Sequence, residues 1–118
     1  MHELAIARNM LQIAEEELAR HGCSQLTLLR VHVGRLSGVV VDSLTFGFEC
    51  LVKGTPHEGA KIEVVSIPLT LRCGSCGVEF DGSGSRVGSL TPCPQCGEVL
   101  GHTVLGGREL SITWIEGN

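Results

Sequence analysis

The sequence has no tyrosine, one tryptophan and three phenylalanines. A core built from it is therefore aliphatic, and it offers few of the ring platforms on which single-stranded nucleic acids stack. Basic residues are also scarce. Nine Lys and Arg stand against thirteen Asp and Glu, giving a net charge of −4 and a pI near 5.7. That balance argues against nucleic acid or an anionic membrane surface as partner. No run approaches the ~18 consecutive apolar residues that would span a bilayer. Catalytic patterns are missing too. There is no Ser/His/Asp set, no phosphate-cradling glycine loop and no pair of facing carboxylates, so an enzyme is not expected. Lacking a Walker motif, the chain would need another protein for any nucleotide hydrolysis. The opening Met1-His2-Glu3-Leu4, with Arg8 following, lacks the basic start and apolar run of an export signal. The expected location is a reducing cytoplasm.

Cysteine, in contrast, is abundant. Four of the six form Cys73-Gly74-Ser75-Cys76 and Cys93-Pro94-Gln95-Cys96, two Cys-x-x-Cys pairs separated by sixteen residues, Gly77 to Pro92. This spacing is that of a four-thiolate metal site. Two cysteines three apart aim both sulfurs at one ion, and two such turns facing each other complete a tetrahedron with bonds of ~2.3 Å. Gly77 and Gly97 follow the second cysteine of each pair, where the chain must turn away from the metal. A closed four-sulfur site has no open coordination position, so its role is structural. Zinc fits, and so does the iron of a rubredoxin-like centre, since both accept tetrahedral sulfur. The surrounding segment carries Arg72 and Arg86 against Glu79, Asp81 and Glu98, which is no basic patch. Gly82 to Ser85 reads as a flexible loop tip within it.

Hydrophobic periodicity supplies the rest of the architecture. Residues 4–21 predict an amphipathic helix. Leu4, Ala7, Leu11, Ala14 and Leu18 line one face, and Ile6, Met10 and Ile13 widen it. Glu15, Glu16, Glu17 and Arg20 are expected in solvent, and His21-Gly22 is the stop. Leu26–Leu36 predicts a strand with Leu29, Val31 and Val33 on one side. Asp42 or Ser43 is the expected cap of a second helix, which buries Leu44, Phe48, Leu51 and Val52 and stops at Gly54. Lys61–Ile67 and Glu109–Ile115 predict two further strands, the last alternating Leu110, Ile112 and Trp114. The last strand cannot stand alone. The expected fold is therefore α+β, a small three-stranded sheet with two helices on one face. An inserted zinc-ribbon domain carries the two Cys-x-x-Cys knuckles. The expected boundaries are 1–68 plus 107–118 for the α+β part and 69–106 for the insertion.

His2 is the remaining unusual feature. The Met1 amine, the His2 backbone nitrogen and the His2 imidazole can chelate one ion in small unstrained rings, with the Glu3 amide or carboxylate as a fourth position. A deprotonated amide nitrogen suits square-planar Ni(II) or Cu(II). Met1 is expected to be retained, because a bulky second residue resists its removal. The alternative is an ordinary solvated histidine at a helix entry.

Met1-His2-Glu3-Leu4, Phe46-Gly47-Phe48-Glu49, Lys53-Gly54-Thr55-Pro56, Glu58-Gly59-Ala60, both cysteine knuckles and Gly107-Arg108-Glu109-Leu110 occur in one order. This pattern resembles the HypA/HybF family of hydrogenase nickel-incorporation proteins over essentially the whole chain. The resemblance implies a cytoplasmic nickel metallochaperone. It implies Ni(II) as cargo at Met1, His2 and Glu3, and structural Zn(II) at Cys73, Cys76, Cys93 and Cys96. It further implies a hydrogenase-maturation GTPase and the hydrogenase large subunit as partners, and urease accessory proteins in some members. A monomer or weak homodimer is expected. Imidazole and amide nitrogens must lose protons to bind, so nickel affinity should fall with pH. A carrier also has to release its ion, which a chelate at a free chain end permits.

Two rival classes stay open at this point. A zinc-ribbon interaction or nucleic-acid module would want basic or aromatic residues near the knuckles, where only Phe80 stands. A rubredoxin-like electron carrier would hold iron and be coloured when oxidised. Cys23 and Cys50 are expected to be small buried residues. His21, His32 and His57 are expected at the surface or at caps, and His102 as a solvated loop residue.

Overall fold

The structure is a computed structural model that describes residues 2–83 and 87–118. Met1, and Gly84, Ser85 and Arg86 of the loop tip and its flank, lie outside the described residues.

Helix α1 runs His2–Arg20 and buries Ala7, Met10, Leu11, Ala14 and Leu18. These positions recur at steps of three and four, so they share one stripe. The stripe is narrower than expected, because Ile13 is 51% exposed. Strand β1 spans Leu26–Gly34, two residues shorter than the sequence predicts, and buries Leu26, Leu29, Val31 and Val33. Helix α2 covers Val41–Val52, with Leu44, Phe48 and Val52 buried. The expected cap is corrected here. Asp42 and Ser43 lie inside the helix, and the capping position is Val40, which has no side-chain bond to give. The Glu3 carboxylate accepts the Val40 N–H at 3.2 Å instead, placing a negative charge at the positive end of α2. Gly47 lets the two helices approach. A methyl group there would lie 3.4 Å from the Leu4 Cδ1 and 3.6 Å from the Leu4 Cα.

Strands β2 (Lys61–Ile67) and β6 (Leu110–Gly117) flank β1, giving a three-stranded sheet in the order β2-β1-β6. Trp114 on β6 is half exposed, with the Arg30 guanidinium 5.9 Å from its ring centroid.

The cysteine segment builds a second sheet. Strands β3 (Thr70–Arg72), β4 (Glu79–Asp81) and β5 (Thr103–Gly106) pair antiparallel in the order β4-β3-β5. Leu71 sits opposite both Phe80 and Val104. Leu69, Leu71, Phe80, Cys73 and Cys93 form its small core, flanked by Val78 and Val104. The chain divides into two compact units, one of Met1–His32, Val39–Val65 and Ser111–Asn118, the other of Val33–Gly38 and Ser66–Leu110. No described helix is long and apolar enough to cross a membrane.

Candidate metal centres

The two knuckles are built by the same hydrogen bonds. In the first, the Cys73 carbonyl accepts the Gly77 N–H at 3.1 Å and the Cys73 N–H donates to the Val78 carbonyl at 2.8 Å. In the second, Cys93 makes the equivalent pair with Gly97 and Glu98, both at 2.9 Å. Each turn closes on a glycine with φ of 78°, Gly77 and Gly97, a conformation that a Cβ disfavours. Backbone amides also point at sulfur. Ser75 and Cys76 donate to the Cys73 Sγ at 3.3 and 3.4 Å, and Gln95 donates to the Cys93 Sγ at 3.4 Å.

These turns bring the Sγ atoms of Cys73, Cys76, Cys93 and Cys96 within 4.8 Å of one another. Across the knuckles Cys73 lies 3.5 Å from Cys96, and Cys76 lies 3.7 Å from Cys93. A regular tetrahedron with ~2.3 Å bonds has edges of about 3.8 Å, so the donor set fits a zinc-sized ion. The separations are far longer than the ~2.05 Å of a disulfide.

The electrostatics of four adjacent thiols are uneven. The Cys76 N–H, followed by that of Ser75, holds the Cys73 thiol down to about 6. The Cys96 thiol receives a favourable bond from the Glu98 amide, but the neighbouring Cys73 sulfur outweighs it, with burial, and Cys96 is pushed up to about 12. Cys76 is likewise raised, because burial and the Cys73 and Cys93 sulfurs outweigh the Val78 amide. Burial opposes ionisation of Cys93, yet the Cys96 and Gln95 amides bring it below its ordinary value. Without a cation the cluster cannot hold four negative charges at neutral pH. A divalent ion supplies what is missing.

His102 was expected in solvent, and this is corrected. Its Nδ1 accepts the Gly74 N–H at 3.2 Å, its Nε2 lies 3.0 Å from the Thr91 carbonyl and 2.9 Å from the Glu98 carbonyl, and its ring meets Phe80 edge-on at 5.1 Å. Spacing gave no signal for this role, which depends on the turn that returns the chain to β5.

At the other end of the sequence, His2 opens α1 with its imidazole 60% exposed and its Nε2 3.5 Å from the Glu3 carboxylate. Glu3 itself is 7% exposed. The Val40 N–H, and then its own, hold its carboxyl below the usual range, so it stays ionised beside His2. The first amides of a helix have no intrahelical carbonyl to bond, and that of Glu3 is taken by its own carboxylate. Met1 completes the expected chelate but lies outside the described residues.

The other histidines and cysteines also settle. His57 is buried, correcting the surface expectation. Its Nδ1 accepts the Leu26 N–H at 2.9 Å, and its Nε2 lies 3.0 Å from the Glu15 carboxylate. His21 is exposed and pairs with Glu17. Cys50 is exposed and Cys23 half-buried, so neither is the small core residue expected.

The model of the family described as "Hydrogenase/urease nickel incorporation, metallochaperone, hypA" matches residues 1–117. The chain belongs to the HypA family. A relative named "Hydrogenase maturation factor HypA" from Solidesulfovibrio magneticus is 41% identical over 116 residues, covering 98% of each chain. Another of that name from Roseiflexus sp. is 37% identical, covering 98% of this chain and 91% of its own. The fold matches a solution structure of HypA protein with a TM-score of 0.68 and 18% identity, over 100% of this chain and 97% of that one. A second match is the solution structure of the Ni metallochaperone HypA from Helicobacter pylori. It has a TM-score of 0.62 and 16% identity, over 98% of this chain and 96% of that one. HypA proteins are non-catalytic metallochaperones, and the four-cysteine cluster belongs to that setting as a zinc-ribbon-like site.

Proposed function

We propose that this HypA protein carries Ni(II) at its N-terminus and Zn(II) in the cysteine cluster. The nickel ligands are the Met1 amine, the His2 amide and imidazole, and Glu3 as the adjacent donor. The zinc ligands are Cys73, Cys76, Cys93 and Cys96. Residues 1–68 with 107–118 form the nickel-binding part, and 69–106 the zinc-binding insertion. The recipient is a hydrogenase large subunit, reached through a maturation GTPase in the cytoplasm.

The observation that carries the nickel assignment is the His2–Glu3 pair. An exposed imidazole, helix-terminal amides that lack an intrahelical acceptor and an ionised, anchored carboxylate stand together at the start of α1. The Glu3 carboxylate is committed to the start of α2, so it supplies charge and orientation, while its backbone nitrogen offers the planar fourth ligand. Square-planar nitrogen ligation favours nickel over zinc by geometry. Because the site is open to solvent, its ion can leave.

A Ni(II) titration of untagged, zinc-loaded protein beginning at Met1, followed by optical absorption, tests this. Stoichiometric binding with a planar-nickel spectrum is expected, and His2→Ala should abolish it. Equal binding by both proteins would place the nickel elsewhere.

A further inference from the structure

Besides the cysteines, a histidine spans the two knuckles. His102 takes a hydrogen bond from Gly74, inside the first knuckle, on Nδ1. On Nε2 it faces the carbonyls of Thr91 and Glu98, which bracket the second. A ring nitrogen that accepts a backbone N–H carries no proton, so the neutral ring must bear its hydrogen on Nε2, where both partners are acceptors. One tautomer thus satisfies all three contacts. Edge-on packing against the buried Phe80 fixes the plane of the ring. The knuckles are therefore tied at a set separation and twist by a bridge independent of the sulfurs.

That bridge matters in a protein whose cargo is nickel. Four thiolates accept zinc as a tetrahedron, and they also accept Ni(II) as a plane, so sulfur chemistry alone does not separate the two ions. Reaching a planar set requires the knuckles to rotate about each other until the sulfurs are coplanar. His102 opposes that rotation. We propose that His102 is a positioning residue that holds the knuckles in tetrahedral register and so keeps cargo nickel out of the cysteine site. This rests on the zinc reading of Cys73, Cys76, Cys93 and Cys96.

The test uses zinc-loaded His2→Ala, which removes the terminal site, with and without His102→Ala. Each is exposed to excess Ni(II). Zinc release is read with a colorimetric chelator, and nickel entry by thiolate-to-nickel charge-transfer absorption. Removing a group that orients metal ligands weakens metal binding about 10- to 100-fold. The double variant is expected to release zinc faster by that order, with the nickel–thiolate band growing in step. Equal release from both overturns the proposal. Wild-type protein gives a second reading that needs no variant to fold. Long-range proton–nitrogen NMR should show His102 Nδ1 unprotonated and Nε2 bearing hydrogen; the opposite tautomer, or averaging of the two nitrogens, overturns it. Metal analysis of the starting protein separates the two claims. A wild type without zinc overturns the zinc reading and this proposal together, whereas zinc-loaded variants with equal release overturn this proposal alone.

Discussion

Zinc binding should release fewer protons than four free thiols would. With Cys73 held at about 6, only about a tenth of it is protonated at pH 7, whereas Cys96 at about 12 is protonated throughout. Cys76, raised above its ordinary value, adds a full proton, and Cys93, lowered, adds no more than one. The expected release at pH 7 is thus between about two and about three protons per zinc, against about four for unperturbed thiols. The sign follows from the same residues. As pH falls through about 6, Cys73 takes up its proton and must lose it again to bind. By pH 5 Cys73 alone should have added about 0.8 to the release, and zinc affinity falls more steeply there. Calorimetric zinc titrations of reduced, metal-free protein in two buffers of different protonation enthalpy give the count directly. Four protons at pH 7, or a count unchanged between pH 7 and pH 5, would refute the backbone-amide account of Cys73.

Other perturbations test the fold that holds both sites. Phe48 is wholly buried on α2, so Phe48→Ala should cost about 3–5 kcal/mol in urea unfolding. His57→Ala leaves the Leu26 N–H without its acceptor in a buried position. A loss of about 1–3 kcal/mol is expected, with the Leu26 amide losing its protection in hydrogen exchange. Cys76→Ala removes one sulfur from a closed set. The protein should lose zinc, and amides of β3, β4 and β5 should exchange rapidly while those of α1 stay protected.

Elements with a strong period were legible in the sequence, and elements settled by distant partners were not. The β-branched run Lys61–Ile67 matches β2 to the residue, and the three–four spacing of Ala7, Leu11, Ala14 and Leu18 locates the buried stripe of α1. The start of α2 was misplaced for a physical reason. Asp42 has the chemistry of a cap, but the carboxylate at that terminus comes from Glu3, thirty-seven positions earlier. Local pattern cannot show a cap delivered by another helix. His57 and His102 fail the same way. His57 lies in a polar turn and His102 in a short glycine-flanked loop, both of which suggest solvent, and each is taken up by backbone groups that its local sequence does not reveal. The sulfur cluster was legible because its constraint is local. Two three-residue turns fix two ligand pairs, and one ion imposes the rest.

The two centres make opposite use of backbone amides. In the cysteine cluster, N–H groups of Ser75, Cys76 and Gln95 donate to sulfur and stay protonated, stabilising thiolate charge. At the proposed nickel site the amides of the first helical turn are ligands and must lose their protons, which only an ion with strong planar preference can enforce. The donors thus sort the metals without either site needing the higher affinity. On the proposed assignment, four sulfurs in a tetrahedron keep the structural ion, while nitrogen ligands at the N-terminus take the one that must be passed on. A cation of intermediate preference, Co(II), separates these effects. It should enter the cysteine cluster with an intense tetrahedral spectrum and leave the terminus empty, and Co(II) bound at His2 would break the rule.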